Sequence, residues 1–304
     1  MTKVTVFAYH TIGVDCLEAL HQAGLTIGLI VTHSDNPQEL IWFKSVHQWA
    51  KNHQIPVITP TWPFNPSTEH LIRSSQPDLI FSFYYRYLIP TSILQIAPLG
   101  AYNLHGSLLP AFRGRVPVNW AIIEGMDKTG ATLHAMTAKA DQGDILIQEE
   151  IPIGPNDTAY EVFQRLTLVA PQILIKILPA LCQGTAPRTP QNLSLGRYYG
   201  ARKPEDGRIK WSQTAQQIHN LVRAVAPPYP GAFTKIQGKM TRILSTRLEH
   251  HPDSVAHTTG GDGKPLYILK LEYDGQLLTQ EQFAQLFPSG VTPEISDKAQ
   301  QNPV

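Results

Sequence analysis

Cysteine is scarce in this sequence, and so are charged residues and long apolar runs. The chain has two cysteines among 304 residues, Cys16 and Cys182, and neither lies in a CxxC pattern or beside a histidine. Zinc sites need closely spaced cysteine and histidine ligands, and small secreted proteins use many cysteines as disulfides. We therefore expect two buried free thiols, no disulfide and no metal.

A strong net charge is also missing. Charged residues make up 16% of the chain and hydrophobic residues 42%, and the formal net charge is +1. Proteins that bind nucleic acids usually carry a concentrated basic surface, so we expect no nucleic acid as partner. The N-terminus is a short apolar strand, without the apolar core of a signal peptide or the length of a membrane span. We expect a cytoplasmic protein that does not bind a membrane.

Two nucleotide-binding fingerprints are absent as well. The turn after the first strand, Tyr9–Asp15, has one glycine where a dinucleotide-binding loop has three. The P-loop pattern GxxxxGK[ST] does not occur anywhere in the chain. We expect neither a nicotinamide cofactor nor ATP bound on a P-loop.

The sequence does contain alternating strand-like and helix-like segments. Short runs of β-branched and aromatic residues are typical of buried strands, and apolar residues at helical spacing separate them. The predicted elements are strands at Lys3–Ala8, Thr26–Thr32 and Leu79–Phe83, with helices at Cys16–Ala23 and Ser45–Asn52. This alternation predicts an α/β fold with a parallel sheet covered by helices, in which ligands bind at the carboxyl ends of the strands.

A long helical pattern follows Asp157. Thr158 and Glu161 have the spacing of a capping box, which predicts the start of a helix there. Pro171 interrupts the pattern, and we expect it to kink the helix or divide it in two, because proline lacks the backbone N–H.

The composition changes after Gly184, where a linker rich in proline and threonine begins. Strand candidates then occur at Met240–Ser245 and Leu266–Glu272. We place a catalytic domain at 1–190, a β-rich domain at 205–290 and a loose tail at 291–304.

The residues that indicate chemistry are Asn103 and His105, which follow the strand-like run starting at Ala101. Strand residues two apart point to the same side, so an amide N–H and a protonated imidazole N–H can meet one oxyanion. Asp141 can accept from the imidazole and raise its pKa. Each residue alone also fits a structural role, but together they indicate acyl transfer to an amine that the substrate supplies.

Several motifs resemble those of the 10-formyltetrahydrofolate-dependent formyltransferases. They are NxHxSLLP at 103–110, RGxxP at 113–117, TGxTxH at 129–134, DxGD at 141–144 and, with Tyr229 in place of the usual Trp, PWPGAF at 228–233. The resemblance implies a Rossmann-like, mostly parallel sheet domain followed by a smaller open β-barrel (OB-like) domain. It also implies that Asn103 and His105 bind and polarise the formyl oxygen, while Asp141 raises the pKa of His105.

The resemblance further implies a site for the co-substrate 10-formyltetrahydrofolate. In the family, backbone atoms after the strand that precedes the catalytic strand hold much of the folate, which here points to Tyr87, Leu88 and Ile89. The other implied positions are Arg115, Thr137, Ala138, Lys139, Ala140 and Asp141. A plain packing role for the tyrosine side chain stays open.

The acceptor is a separate question. Methionyl-tRNA formyltransferases carry a basic insertion after the second strand, whereas Thr32–Lys44 contains one lysine and no arginine. This segment resembles instead the formyltransferase half of the bacterial UDP-4-amino-4-deoxy-L-arabinose formyltransferase/decarboxylases, whose decarboxylase half would follow Val304. We expect formyl transfer alone, onto a nucleotide-linked 4-amino sugar. The alternatives are a methionyl-tRNA formyltransferase or an inactive protein that binds folate or a nucleotide sugar, and a homo-oligomer is compatible with the sequence.

Overall fold

The computed structural model describes residues 2–36, 40–61 and 64–288. The strands are β1 (Lys3–Ala8), β2 (Thr26–Val31), β3 (Val57–Ile58), β4 (Leu79–Phe83), β5 (Ala101–His105), β6 (Arg113–Gly114), β7 (Lys128–Ala135), β8 (Ile145–Pro152), β9 (Tyr198–Tyr199), β10 (Ala232–Ile236), β11 (Lys239–Arg247), β12 (Ala256–Thr259), β13 (Pro265–Tyr273) and β14 (Gln276–Leu277). The α-helices are α1 (His10–Gln22), α2 (Val46–Asn52), α3 (Pro66–Ser74), α4 (Thr91–Leu94), α5 (Pro117–Ile123), α6 (Ala159–Cys182), α7 (Ala215–Ala224) and α8 (Gln280–Leu286).

The chain divides into two compact units. The first comprises Met1–Pro117, Lys128–Pro152 and Phe163–Gly200, and the second comprises Val118–Asp127, Ile153–Val162 and Ala201–Val304. The domain boundaries at 190 and 205 stay predictions, and the predicted tail at 291–304 lies outside the described residues.

A seven-stranded sheet forms the centre of the first unit, in the order β3-β2-β1-β4-β5-β7-β8. The pairs from β3 to β5 are parallel, while β5 with β7 and β7 with β8 are antiparallel. Strand β4 is buried along its whole length, as expected of a central parallel strand that is apolar except for Ser82. The mostly parallel sheet is therefore confirmed, and β1 and β4 have the predicted bounds.

Helix α1 covers this sheet through Ile12, Leu17 and Leu20, which are fully buried. It begins at His10, earlier than the predicted start at Cys16. Cys16 is buried within it and Cys182 is half-buried, so the expected full burial holds for Cys16 alone; both thiols are free.

Helix α6 runs without interruption from Ala159 to Cys182, so Pro171 does not divide it in two, and the other expected outcome, a kink at Pro171, stays a prediction. Leu166, Ile173 and Leu174 are buried on this helix, and their packing outweighs the loss of one backbone hydrogen bond. The capping box is confirmed, since the Thr158 N–H donates to Glu161 Oε2 at 2.7 Å and the Glu161 N–H donates to Thr158 Oγ1 at 3.3 Å.

Helix α6 is long and apolar enough to cross a membrane. Core helices of globular proteins also meet these two criteria.

The second unit contains an antiparallel sheet in the order β10-β11-β13-β12, with β14 beside β13. Helix α7 packs on β11 and β13, and its Ile218 and Val222 are fully buried, as are Ile243 and Leu271 of the two strands. The predicted strand segments lie within β11 and β13. The half-barrel arrangement confirms the expected second domain.

Candidate active site

Asn103 and His105 lie on β5 itself, as its third and last residues, rather than after it as the sequence indicates. The alternation of side chains along a strand puts both on the same side of the sheet. Asn103 has Ser82 of β4 as its neighbour on one side and His134 of β7 on the other. The pair therefore lies where the parallel and antiparallel parts of the sheet meet, at the carboxyl end of β5.

The carboxylate of Asp141 faces three side chains of this site. Its Oδ1 lies 3.6 Å from His105 Nδ1, 3.4 Å from His134 Nε2 and 3.5 Å from Asn103 Nδ2, while Oδ2 accepts a 2.8 Å hydrogen bond from the Gly114 N–H. Burial alone would raise the pKa of this carboxyl. The charges of the two histidines, the hydrogen bond from His134 and the Gly114 N–H together hold that pKa well below its usual range. Asp141 is therefore an ionised group inside the site.

The turn at 141–144 has an unusual backbone conformation, which directs the carboxylate of Asp141 toward the histidines. Asp141 has a φ of 55°, in the left-handed region that few residues other than glycine adopt. In the same turn, a Cβ on Gly143 would lie 1.9 Å from the carbonyl oxygen of Ala135. The DxGD motif is thus a turn in which the glycine allows a close backbone approach and the first aspartate points at the histidines.

Both ring nitrogens of His105 face acceptors. Nε2 lies 2.8 Å from the carbonyl oxygen of Phe112, so Nε2 carries a hydrogen. Nδ1 faces the ionised carboxylate of Asp141. His105 thus has an acceptor at each nitrogen and is only 6% exposed.

His134 is the site residue to which the sequence analysis gave no role. It is 1% exposed, and its Nε2 lies 3.1 Å from Asn103 Nδ2. The histidine of the TGxTxH motif was the available signal. Its spacing from Asn103 could not reveal the contact, because the contact depends on the register of β7 against β5.

The implied folate residues lie in segments that hydrogen bonds join to this site. In the loop after β4, Tyr87 and Leu88 are exposed and Ile89 is buried. Arg115 Nη2 donates to the carbonyl oxygen of Arg86 at 3.0 Å, which connects this loop to the segment that holds Gly114.

The remaining implied positions precede Asp141 in the loop after β7. Thr137, Ala138 and Lys139 are exposed and Ala140 is half-buried. Thr137 Oγ1 donates to the carbonyl oxygen of Lys139 at 2.8 Å, which shapes this loop. The implied folate positions thus lie on segments that lead to Asp141 or are hydrogen-bonded to the segment holding Gly114, and their role in binding stays a prediction.

An aromatic cluster lies at the carboxyl ends of β1 and β4, formed by His10, Trp42, Phe43, Tyr84 and Phe163. His10 stacks on Phe43 with ring centroids 4.1 Å apart. Burial, followed by the charge of Arg86, lowers the pKa of His10 to about 3, so this ring is neutral. The predicted acceptor segment at 32–44 contributes Trp42 and Phe43 to the cluster, and its residues 37–39 lie outside the described residues.

Within 2–36, 40–61 and 64–288, no three His, Cys, Asp or Glu side chains are grouped as metal ligands are. The absence of a metal stays an expectation from the sequence.

Solved structures with this fold include several formyltransferases. The N-formyltransferase from Helicobacter canadensis, in complex with folinic acid and dTDP-3-aminofucose, has a TM-score of 0.71 at 20% identity, covering 88% of this chain and 99% of that protein. A 4-N formyltransferase from Francisella tularensis has a TM-score of 0.61 at 21% identity, covering 76% and 91%. HypX from Aquifex aeolicus, in complex with tetrahydrofolic acid, has a TM-score of 0.62 at 17% identity, covering 95% of this chain and 48% of that protein.

At these identities the likeness shows the fold, and the family follows from the sequence matches. Residues 202–285 match the C-terminal domain of formyl transferases. Residues 2–178, more than half of the chain, match the formyl transferase domain itself. Because these matches cover both domains, the chain belongs to the formyl transferase family of enzymes.

Proposed function

We propose that this enzyme transfers the formyl group of 10-formyltetrahydrofolate to the amine of a nucleotide-linked amino sugar. The observation that carries the proposal is the convergence of Asn103, His105 and the ionised Asp141 at the carboxyl end of β5. The fold neighbours support it, since one was solved with folinic acid and dTDP-3-aminofucose and another is a 4-N formyltransferase.

The proposed reaction begins when the free amine of the sugar attacks the formyl carbon. The new C–N bond creates a tetrahedral species whose oxygen is negative, and N–H groups aimed at that oxygen lower the barrier. We assign this role to the amide of Asn103 and to the Nε2–H of His105, which exchanges the Phe112 carbonyl for the oxyanion. Asp141 favours the doubly protonated ring by facing its other nitrogen.

The intermediate then collapses as the bond between the formyl carbon and N10 of the folate breaks. The attacking nitrogen loses one proton and N10 gains one, so the products are the formamide of the sugar and tetrahydrofolate. We assign the transfer of this proton to His105. The enzyme itself supplies no covalent nucleophile in this sequence of steps.

The proposed folate site consists of the segments that hydrogen bonds link to this centre. Tyr87 and Leu88 are exposed and Ile89 is buried, and we propose that the backbone of these three residues offers donors and acceptors for a pterin edge. Arg115 and the loop formed by Thr137, Ala138, Lys139, Ala140 and Asp141 complete it.

For the acceptor we propose a 4-amino sugar, with UDP-4-amino-4-deoxy-L-arabinose as the first candidate. The segment at 32–44 has a single basic residue, which does not favour contact with the phosphates of a tRNA. We place the reaction in the cytoplasm, as the sequence suggests.

A panel of acceptors tests the proposal. The purified enzyme is incubated with 10-formyltetrahydrofolate and, separately, with UDP- and dTDP-linked 3-amino and 4-amino sugars and with methionyl-tRNA, while tetrahydrofolate release is followed. Release with a 4-amino sugar nucleotide is the expected result. Release with a 3-amino sugar alone would correct the acceptor position, and release with methionyl-tRNA alone would overturn the sugar substrate. Folate binding without any turnover would indicate an inactive binding protein.

A further inference from the structure

His33 is a half-buried histidine that the proposed chemistry leaves without a role. It is the second residue after β2, and its Nε2 lies 2.9 Å from the backbone nitrogen of Arg86 in the loop after β4. Arg86 directly precedes Tyr87, Leu88 and Ile89. His33 therefore contacts this loop at the point where the proposed folate-binding backbone begins.

The backbone of Arg86 is held from two sides. Its N–H donates to His33 Nε2, and its carbonyl oxygen accepts a 3.0 Å hydrogen bond from Arg115 Nη2. Backbone groups of an exposed loop residue can bond to water, but here two side chains from separate segments take both groups. The chain is thus fixed immediately before Tyr87. Arg115 is already an implied folate residue, whereas His33 acts here only through protein contacts.

The ring of His33 is itself held by aromatic neighbours. It stacks on Tyr85 with ring centroids 4.2 Å apart and an angle of 16° between the planes. Tyr87 and Tyr9 meet it edge to face, at 4.7 and 5.2 Å between centroids. Two of these three rings belong to the neighbours of Arg86 in the chain, so the orientation of Nε2 and the path of the loop are fixed together.

The contact with Arg86 also defines the hydrogens of His33. A backbone N–H only donates, so Nε2 carries a lone pair and the neutral ring has its hydrogen on Nδ1. Burial, followed by the charge of Arg86, lowers the pKa of His33 to about 4. The ring is therefore a neutral acceptor near pH 7, as the hydrogen bond requires.

We propose that His33 is a positioning residue for the folate co-substrate. By accepting the Arg86 N–H, it fixes the direction in which the backbone of Tyr87, Leu88 and Ile89 continues toward the pterin. This role rests on the proposed function, in which that backbone binds 10-formyltetrahydrofolate. It concerns binding of the co-substrate, so it is distinct from the roles of Asn103 and His105 in the chemical step.

Two variants separate the acceptor of His33 from its ring. His33→Phe keeps an aromatic ring for Tyr85 and loses the acceptor for Arg86. His33→Gln loses the ring and can place an amide oxygen near the position of Nε2. Thermal unfolding compares their folding, and His33→Asn, whose amide reaches only the position of Nδ1, replaces His33→Phe if that variant does not fold. The matched control is His53→Phe, since His53 is a half-buried histidine stacked on Trp49 at 4.0 Å.

The first measurement is hydrogen–deuterium exchange at the Arg86 amide together with the Kd for folinic acid. We expect His33→Phe to speed the exchange about tenfold and to raise the Kd about fivefold or more, because the loop loses the hydrogen bond that fixes it. His33→Gln should stay near the wild type in both. His53→Phe should leave both unchanged.

The second measurement separates binding from chemistry, with the sugar acceptor that the wild-type enzyme uses. We expect His33→Phe to raise the KM for 10-formyltetrahydrofolate about as much as the Kd for folinic acid. Its kcat at saturating substrates should stay within about twofold, because the side chains on β5 keep their positions.

Three results would contradict the proposal in different ways. A wild-type Kd in His33→Phe, or an equal rise of the Kd in His33→Phe and His33→Gln, would overturn the positioning role while the proposed function stands. A wild-type enzyme that does not bind folinic acid would overturn the proposed function and this role with it. If the enzyme binds folinic acid but formylates none of the acceptors, the proposed acceptor is wrong, and the exchange and Kd measurements still decide the role of His33.

Discussion

The Oδ2 atom of Asp141 accepts a 2.8 Å hydrogen bond from the backbone N–H of Gly114, which leaves Oδ1 facing the imidazole of His105 at 3.6 Å. One carboxylate thus joins the RGxxP segment to the catalytic strand. The Gly114 N–H fixes Oδ2 of this carboxylate, and Oδ1 carries the negative charge that faces His105.

Replacing Asp141 by asparagine removes the charge and keeps the shape of the side chain. We expect kcat to fall about 100-fold, comparable with the loss of an oxyanion donor, because the protonated form of His105 loses its ionic partner. Affinity for folinic acid should change little, because asparagine keeps the size and the backbone of Asp141 in the proposed folate loop. Steady-state kinetics and a binding titration measure both, with Asp144→Asn in the same turn as the control. Wild-type kcat in Asp141→Asn would contradict the role of the charge.

Gly114 is a position that a side chain cannot occupy without strain. Its φ is +101°, and a Cβ would lie 2.1 Å from the carbonyl oxygen of Tyr199. We expect Gly114→Ala to lower the free energy of unfolding by about 2 kcal/mol or more and to reduce formyl transfer, since the partner of Asp141 moves. Chemical denaturation measures the loss.

The matched control for that variant is Gly200→Ala. A Cβ on Gly200 meets nothing within 4 Å, so the free energy of unfolding should change by less than about 0.5 kcal/mol. Equal stability of the two variants would show that the close approach at Gly114 is not structurally required.

The buried His219 of the second unit leads us to expect that the stability of the protein depends on pH. Its Nδ1 contacts Thr246 Oγ1 at 2.8 Å and its Nε2 contacts the Pro155 carbonyl at 3.0 Å. Burial, with the charges of Arg223 and Arg247, lowers its pKa to about 4 although the Pro155 carbonyl opposes this. The unfolded chain therefore binds more protons between pH 6.5 and 4 than the folded protein does.

Stability should consequently fall as the pH drops from 6.5 toward 4, with a contribution from His219 of up to about 3 kcal/mol. His219→Gln removes the titrating group, so we expect a shallower decline of the unfolding free energy over this range. Urea denaturation at a series of pH values measures the slope. If the unfolding free energy of the variant falls with pH as steeply as that of the wild type, groups other than His219 cause the acid sensitivity.

The sequence predicts the elements of the fold that have a strong local pattern. Strands β1 and β4 match because both are short runs rich in β-branched and aromatic residues, which is a local pattern. The uninterrupted course of α6 through Pro171 could not be predicted, because proline opposes a helix locally and only the packing of residues such as Leu166 compensates for it. Local propensity and tertiary packing conflict there, and packing decides.

The site shows the same division between local and long-range information. The spacing of Asn103 and His105 predicts a shared face, because alternation along a strand is a local property. The contact of Asn103 with His134 and the hydrogen bonds that Phe112 and Gly114 provide through their backbones depend on strand register and loop path. No spacing in the sequence contains that information.

The most direct test of the central claim, that Asn103 and His105 stabilise the oxyanion of formyl transfer, is a single-turnover rate at saturating 10-formyltetrahydrofolate and sugar nucleotide. Folinic acid affinity is measured on the same preparations of the wild type, Asn103→Ala and His105→Ala. The account predicts a rate about 100-fold lower or more in each variant, with nearly unchanged affinity. A His105→Ala enzyme that binds folinic acid normally and transfers the formyl group at the wild-type rate would contradict it.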